Sequence, residues 1–131
     1  MGRREDRPDP LAREAAIAIA ATRIAIGLGA LLATRPAIRG LGFSPRGETK
    51  ALARMAGARD LALGVLTVAA SDRRDSLRLA SLVCAAVDAA DAASFAAGAA
   101  RREEVDRAAL LGVPSALAAT GAGLWIASRL G

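Results

Sequence analysis

Four long stretches with few or no charged residues alternate with short, highly charged segments along the chain. The charges concentrate in residues 1–14, 35–50, 71–78 and 101–107. Each stretch between them is close to the ~20 residues that an α-helix needs to cross ~30 Å of hydrocarbon. The pattern therefore predicts an all-α integral membrane four-helix bundle, with spans at about residues 12–35, 50–70, 77–100 and 108–128. The last span is the clearest, because its 21 residues include no charge.

The residues before the first span are predicted to form a short disordered leader, residues 1–11. They mix acids and bases and contain Pro8 and Pro10, which do not continue a helix. The leader lacks the pattern of a cleavable signal peptide. We therefore expect one four-span domain, residues 12–131, in the inner (plasma) membrane. The bases divide eight against seven between the two sides, so they select no orientation.

Helical periodicity predicts which face of each span packs against its neighbours. At ~100° per residue, small and polar side chains collect on one face of the first and fourth spans. These stripes are Ala16, Ala20, Arg23, Gly27, Ala30 and Thr34 in the first span, and Gly112, Ser115, Ala119 and Ala122 in the fourth. Small residues let membrane helices approach closely, so we expect the stripes to face inward and the large aliphatic side chains to meet lipid. Pro36 and the glycine-rich residues 40–47 are expected to end the first helix, with Phe43 as an interfacial anchor.

Charged side chains inside the apolar spans are the strongest functional signal. Each costs ~2.5–3.5 kcal/mol on membrane insertion, so it marks a functional site by default. Counting from the connecting turns places six of them at similar depth: Arg23, Arg54, Arg59, Asp60, Asp88 and Asp91. Three bases and three acids would form a neutral cluster, which a low-dielectric interior tolerates. Arg59 is predicted to pair with Asp88 or Asp91, and Asp88 is the closer match in depth.

Two kinds of site residue follow from this cluster. Ser81 and Cys84 share a helical stripe with the two acids of the third span. The predicted ligand-binding residues are Arg23, Arg54, Arg59, Ser81 and Cys84, and the predicted proton carriers are Asp60, Asp88 and Asp91. Burial and a like charge one turn away both favour the neutral form of a carboxylate. One of the three acids is therefore predicted to change its protonation near neutral pH.

Composition narrows the chemistry. The 131 residues include no His, so a Ser-His-Asp triad is excluded, and the one cysteine, Cys84, forms no disulfide within the chain. The net charge of +5 does not indicate nucleic-acid binding, because the bases are spread over several loops and aromatic residues make up 2% of the chain. A basic rim beside anionic lipid explains the charge more simply. Arginines beside the three acids argue against a metal site, so none is predicted.

One family resemblance rests on short motifs. The segment Arg23-Ile24-Ala25-Ile26-Gly27, the segment from Ala56 to Gly64 (AGARDLALG) and the acids of the third span resemble small actinobacterial membrane proteins of the DoxX-like group. The resemblance implies a four-helix membrane fold, and members of that group are linked by name to quinone and thiol redox systems. The absence of paired cysteines argues against a thiol-exchange role for this chain.

The sequence leaves several functions open. The first is a membrane protein whose Arg/Asp cluster binds a polar or anionic headgroup or a quinone-like small molecule, with proton transfer as an added step. The alternatives are a small proton-coupled transporter and an accessory or structural subunit in which the cluster is only an interhelical salt-bridge network. The sequence decides neither whether the protein is an enzyme nor which cofactor it uses. Membrane lipid is the expected partner, and a homo-oligomer is compatible with the balanced charges.

Overall fold

The protein folds into α-helices joined by short connections. The computed structural model describes residues 7–40, 44–101 and 106–131, with residues 106–110 described as backbone only. These residues form no β-strand and five helices: α1 (Pro10–Leu32), α2 (Thr34–Gly40), α3 (Gly47–Ala70), α4 (Arg74–Ala100) and α5 (Asp106–Arg129). The all-α prediction is confirmed. Four helices are long, with 23, 24, 27 and 24 residues, whereas α2 has 7.

The helix bounds differ from the predicted spans mainly at α1. The helix begins at Pro10 because Asp9 caps it, with the side chain of Asp9 accepting a hydrogen bond of 2.9 Å from the Ala12 amide. Proline is favourable in the first helical turn, because an N–H at that position would have no hydrogen-bond partner within the helix. The last two residues of the predicted leader are therefore helical, and residues 1–6 lie outside the described residues.

The chain also continues as helix where the sequence predicted a loop. A separate short helix, α2, follows Leu32 and includes Pro36 in its first turn, where an absent N–H breaks no helical hydrogen bond. The predicted interfacial anchor Phe43 lies outside the described residues, as do residues 102–105 of the charged turn. Pro114 lies inside α5.

The four long helices form two closely packed antiparallel pairs, α1 with α3 and α4 with α5. Glycines allow the close approach: a Cβ added at Gly27 would lie 2.6 Å from the Gly57 carbonyl oxygen, and one at Gly64 would lie 2.8 Å from the Ala20 carbonyl oxygen. At the other pair, a Cβ on Gly123 would lie 3.0 Å from the Ser81 carbonyl oxygen. Backbone contact through small residues is typical of helix packing in membranes.

Apart from an apolar cluster at one end, the distribution of side chains is the reverse of that in a water-soluble bundle. The buried positions of α1 are Ala12, Ala16, Ala20, Arg23 and Gly27, which confirms the predicted inward face. Large aliphatic residues lie outside, with Leu32, Met55 and Leu79 exposed by 84%, 68% and 64%. Small and charged groups inside with large apolar groups outside fit a lipid environment.

Three helical segments are long and apolar enough to cross a membrane: Pro10–Leu32, Arg74–Ala100 and Leu111–Arg129. This finding indicates a multi-pass membrane protein. The helix α3 is not one of the three, since Arg54, Arg59 and Asp60 lower its hydropathy. The described residues therefore support three spans of the four that the sequence predicted.

Polar contacts close the end of the bundle at which α1 begins. Arg129 of α5 donates a hydrogen bond of 2.9 Å to Asp9, and Arg13 of α1 donates one of 2.9 Å to Asp72, which follows α3. The hydrogen bond from the Ala12 amide and the nearby Arg129 guanidinium hold the pKa of Asp9 below its ordinary value. Next to these contacts lies an apolar cluster of Ala12, Ala16, Leu77, Ile126 and Leu130. The two helix pairs are thus firmly joined at this end.

Candidate functional site

Two arginines and three aspartates from three helices form a connected ionic cluster inside the bundle. Arg23 of α1 contacts Asp60 of α3 at 3.1 Å and also pairs with Asp88 of α4. Arg59 of α3 contacts Asp91 of α4 at 2.7 Å and lies 3.6 Å from Asp60. Asp60 therefore lies between both arginines, and the cluster holds α1, α3 and α4 together.

The predicted ion pair of Arg59 with Asp88 or Asp91 is confirmed, but its partner is Asp91. Asp88 was the closer match in depth, yet it pairs with Arg23. Counting residues gives depth and ignores the direction in which a side chain leaves its helix. The Asp88 side chain is only 7% exposed and faces the interior beside Arg23, whereas the Asp91 side chain is 29% exposed and lies on the more open side.

Arg54 lies apart from this cluster. It is exposed, and its Nε donates a hydrogen bond of 3.3 Å to the hydroxyl of Thr34 near the start of α2. The predicted balance of three bases and three acids was therefore wrong. The ionic cluster contains two bases and three acids, so it carries one excess negative charge when all five groups are ionised.

A cavity of about 530 Å³ opens beside the ionic cluster and is lined by residues of α1, α3, α4 and α5. All five cluster residues line it. The remaining walls are mainly apolar or small: Ala18, Ile19, Thr22, Ile26, Phe95, Gly112, Ser115, Ala116 and Ala119. A largely apolar cavity with a few convergent polar groups is the usual form of a small-molecule site. Its shape suits a ligand with an apolar body and one polar end.

Phe95 and Gly112 shape this cavity. Gly112 of α5 packs against the ring of Phe95, since a Cβ at Gly112 would lie 2.7 Å from the ring atom Cδ2. Phe95 follows Asp88 and Asp91 at helical spacing, and Gly112 belongs to the small-residue stripe predicted for the fourth span, but neither residue was predicted to have a role in the site. Thr22 was missed, because one threonine in an apolar helix gives no signal.

Ser81 and Cys84, both predicted to bind ligand, do not line the large cavity. They lie on the other side of the Arg23–Asp88 pair, around a small void of about 20 Å³. The Ser81 hydroxyl donates to the Leu77 carbonyl at 2.8 Å, and the Cys84 sulfur lies 3.6 Å from the Thr67 hydroxyl. Their hydrogen bonds are thus satisfied within the bundle, which favours a packing role.

Arg59 is the basic group that is most available to a ligand. Its side chain is 37% exposed, against 11% for Arg23. Its Nη1 is bound to Asp91, but its Nη2 lies 3.6 Å from Asp60, beyond hydrogen-bonding distance. The Nε atoms of both arginines are buried without a hydrogen-bond partner among the described residues. Because Arg59 lines the cavity, its Nη2 is the donor available to a ligand there.

These features define the class: an all-α, multi-pass membrane protein with an ionic cluster at the wall of an apolar cavity. The chain belongs to the family described as "Domain of unknown function (DUF4267)", whose sequence model matches residues 20–126. That range includes every residue of the ionic cluster and of the cavity except Ala18 and Ile19. No curated protein and no solved structure matches the chain.

Proposed function

We propose that the protein is a four-span protein of the plasma membrane that binds an amphiphilic small molecule in the cavity beside the ionic cluster. The ligand has an apolar body and a carbonyl-bearing or anionic polar end, as in quinone-like molecules or lipid-like acids. The proposal rests on the position of Arg59. This residue lines the cavity, and its Nη2 lies beyond hydrogen-bonding distance of Asp60.

The proposal assigns the fourth span to α3. The helix has 24 residues, enough to cross the bilayer, and packs along α1 through glycine contacts. Its charges Arg59 and Asp60 lie in ion pairs with α1 and α4, which lowers the cost of placing them in lipid. The resemblance to the DoxX-like group stays a prediction, and the proposal does not depend on it.

The excess acid of the cluster supports proton exchange as part of this function. Asp88 pairs with Arg23 and Asp91 pairs with Arg59, so Asp60 shares two arginines that each already have an acidic partner. The charged groups that face Asp60 are Arg23 from α1, Arg59 from α3 itself, and the two acids of α4, while the described part of α5 contributes none to the cavity. We propose that Asp60 takes up a proton and gives it to the bound polar end.

Ligand binding is tested with two amphiphilic probes, decylubiquinone and lauric acid, titrated into the detergent-solubilised protein. Loss of a hydrogen bond from a charged donor costs ~1.5–3 kcal/mol, so Arg59→Gln is expected to weaken binding of at least one probe by roughly 10- to 100-fold. Arg101→Gln, an exposed base outside the cavity, is the matched control and should leave the affinity unchanged. Failure of both probes to bind, or equal losses in both variants, would contradict the proposed site.

Proton exchange is tested separately by infrared difference spectroscopy between about pH 5 and pH 9. A protonated carboxyl band is expected to titrate in the wild type and to disappear in Asp60→Asn. Persistence of the same band in Asp60→Asn would assign it to another acid and remove Asp60 from the proposal. A wild type without such a band would leave the cluster as a salt-bridge network that fixes the packing of the helices.

A further inference from the structure

A second cavity, separate from the ionic cluster, lies where α1, α2 and α3 meet. We propose that it binds a phosphate-bearing anion at the membrane–water boundary. The cavity has a volume of about 520 Å³, and its lining includes Leu32, Thr34, Arg35, Gly47, Lys50 and Arg54. Three of the lining residues are basic and none is acidic. The site takes no residue from the cavity beside the ionic cluster, so it is independent of the ligand proposed there.

The position of Arg54 supports the proposal. The sequence counted this residue among the buried cluster, but the structure places it beside Arg35 and Lys50 in this cavity. The Thr34 hydroxyl donates to the Ala30 carbonyl at 2.6 Å and accepts from Arg54 Nε at 3.3 Å, which positions the guanidinium group. Among the described contacts, Arg54 uses only its Nε, so its two terminal nitrogens are available to an anion. Paired guanidinium nitrogens suit the oxygens of a phosphate group.

The depth of the cavity matches that of lipid phosphates. Thr34 follows Arg23 by eleven residues, which corresponds to roughly 16 Å along a helix. Half of the hydrocarbon thickness is ~15 Å, so with the ionic cluster near the centre of the bilayer the second cavity lies at the headgroup level. Its lining includes one large, exposed apolar side chain, Leu32, which is 84% exposed. An acyl chain would lie against this residue.

Electrostatics also favours an anion. The carboxyl end of α1 and the amino end of α3 both reach the cavity, and their helix dipoles act in opposite directions on a bound charge. The electrostatic potential in the cavity is therefore set by its charged side chains, which are three cations. An anionic phospholipid headgroup and free inorganic phosphate share the required chemistry, and the experiment separates them.

The experiment uses the full-length protein in neutral maltoside micelles and native mass spectrometry. The protein is titrated separately with phosphatidylglycerol, phosphatidylcholine and inorganic phosphate, and the affinity for the first bound molecule is measured in each case. The test variant is Arg35→Gln/Lys50→Gln/Arg54→Gln, and the matched control is Arg39→Gln/Arg46→Gln/Arg101→Gln. The control removes the same charge from exposed bases that do not line the cavity. Circular dichroism verifies that both variants keep their helical content.

Each basic side chain near an anionic surface strengthens attraction roughly fivefold, so the test variant is expected to lose roughly 100-fold in affinity for phosphatidylglycerol. The affinity of the control variant for phosphatidylglycerol should stay within about threefold of that of the wild type, because its bases lie outside the cavity.

Phosphatidylglycerol binding that inorganic phosphate does not displace identifies a lipid headgroup as the ligand, and binding of inorganic phosphate alone identifies the free anion. Equal losses in both triple variants, equal binding of phosphatidylcholine and phosphatidylglycerol, or absence of binding by all three probes would overturn the proposal. A test variant without helical content is replaced by Arg54→Lys, which keeps the charge but lacks the planar guanidinium and should still bind more weakly than wild type.

Discussion

The close approach of α1 and α3 makes a sharp prediction for two glycines of the same helix. An added Cβ at Gly27 would meet backbone atoms of α3, at 2.6 Å from the Gly57 oxygen and 2.8 Å from the Leu61 nitrogen. An added Cβ at Gly29 would meet nothing within 4 Å. The same chemical change, Gly to Ala, is therefore expected to act in opposite directions at two positions that are two residues apart.

The magnitude follows from the contacts. The 2.6 Å distance at Gly27 is about 0.8 Å shorter than the lower limit of ordinary van der Waals contact, and backbone atoms do not move aside as a flexible side chain does. Overpacking of this kind costs ~1–3 kcal/mol, while the better helix propensity of Ala returns at most ~1 kcal/mol. We expect Gly27→Ala to lower the free energy of unfolding by ~1–2 kcal/mol. Gly29→Ala should be neutral or stabilising by up to ~1 kcal/mol.

The measurement is equilibrium unfolding in mixed micelles with increasing dodecyl sulfate, followed by the fluorescence of Trp125, the one tryptophan of the chain. Gly29→Ala serves as the matched control, since both variants add one methyl group to α1. Equal effects of the two substitutions would refute the described register of α1 against α3. Because Arg23 and Asp60 lie in the same interface, a wrong register there would also remove the basis of the ionic cluster.

Two further predictions concern charged groups. Asp88→Asn leaves Arg23 buried with Asp60 as its remaining acidic partner and is expected to cost ~3 kcal/mol of unfolding free energy, whereas Asp72→Asn, in an exposed pair, should cost less than ~1 kcal/mol. Equal costs in the same unfolding assay would show that Asp88 is not buried beside Arg23. The lowered pKa of Asp9 stabilises the capped end of α1 above the unfolded pKa of ~3.9, and this contribution disappears as pH falls through the folded pKa. The protection factor of the Ala12 amide against hydrogen exchange, taken relative to the intrinsic exchange rate at each pH, should therefore fall at acid pH in the wild type but stay unchanged in Asp9→Ala. Identical profiles in the two proteins would contradict the cap.

The sequence by itself determined the fold class and the inward face of α1. Both depend on local periodicity: a stripe such as Ala16, Ala20, Arg23 and Gly27 recurs at helical spacing, and helices are the elements that satisfy backbone hydrogen bonds within an apolar stretch. The existence of a buried Arg/Asp cluster was also predictable. Charges are costly inside apolar spans and therefore require partners from other helices.

Only the tertiary structure decided which charges meet. Depth along a helix can be counted from a turn, but the direction of a side chain depends on how the helices are rotated and paired. As a result of that rotation, Asp88 pairs with Arg23 and Asp91 pairs with Arg59. The same rotation places Arg54 beside Arg35 and Lys50. The physical reason is that helix rotation is fixed by contacts between distant segments, such as Gly27 against Gly57, which no local pattern encodes.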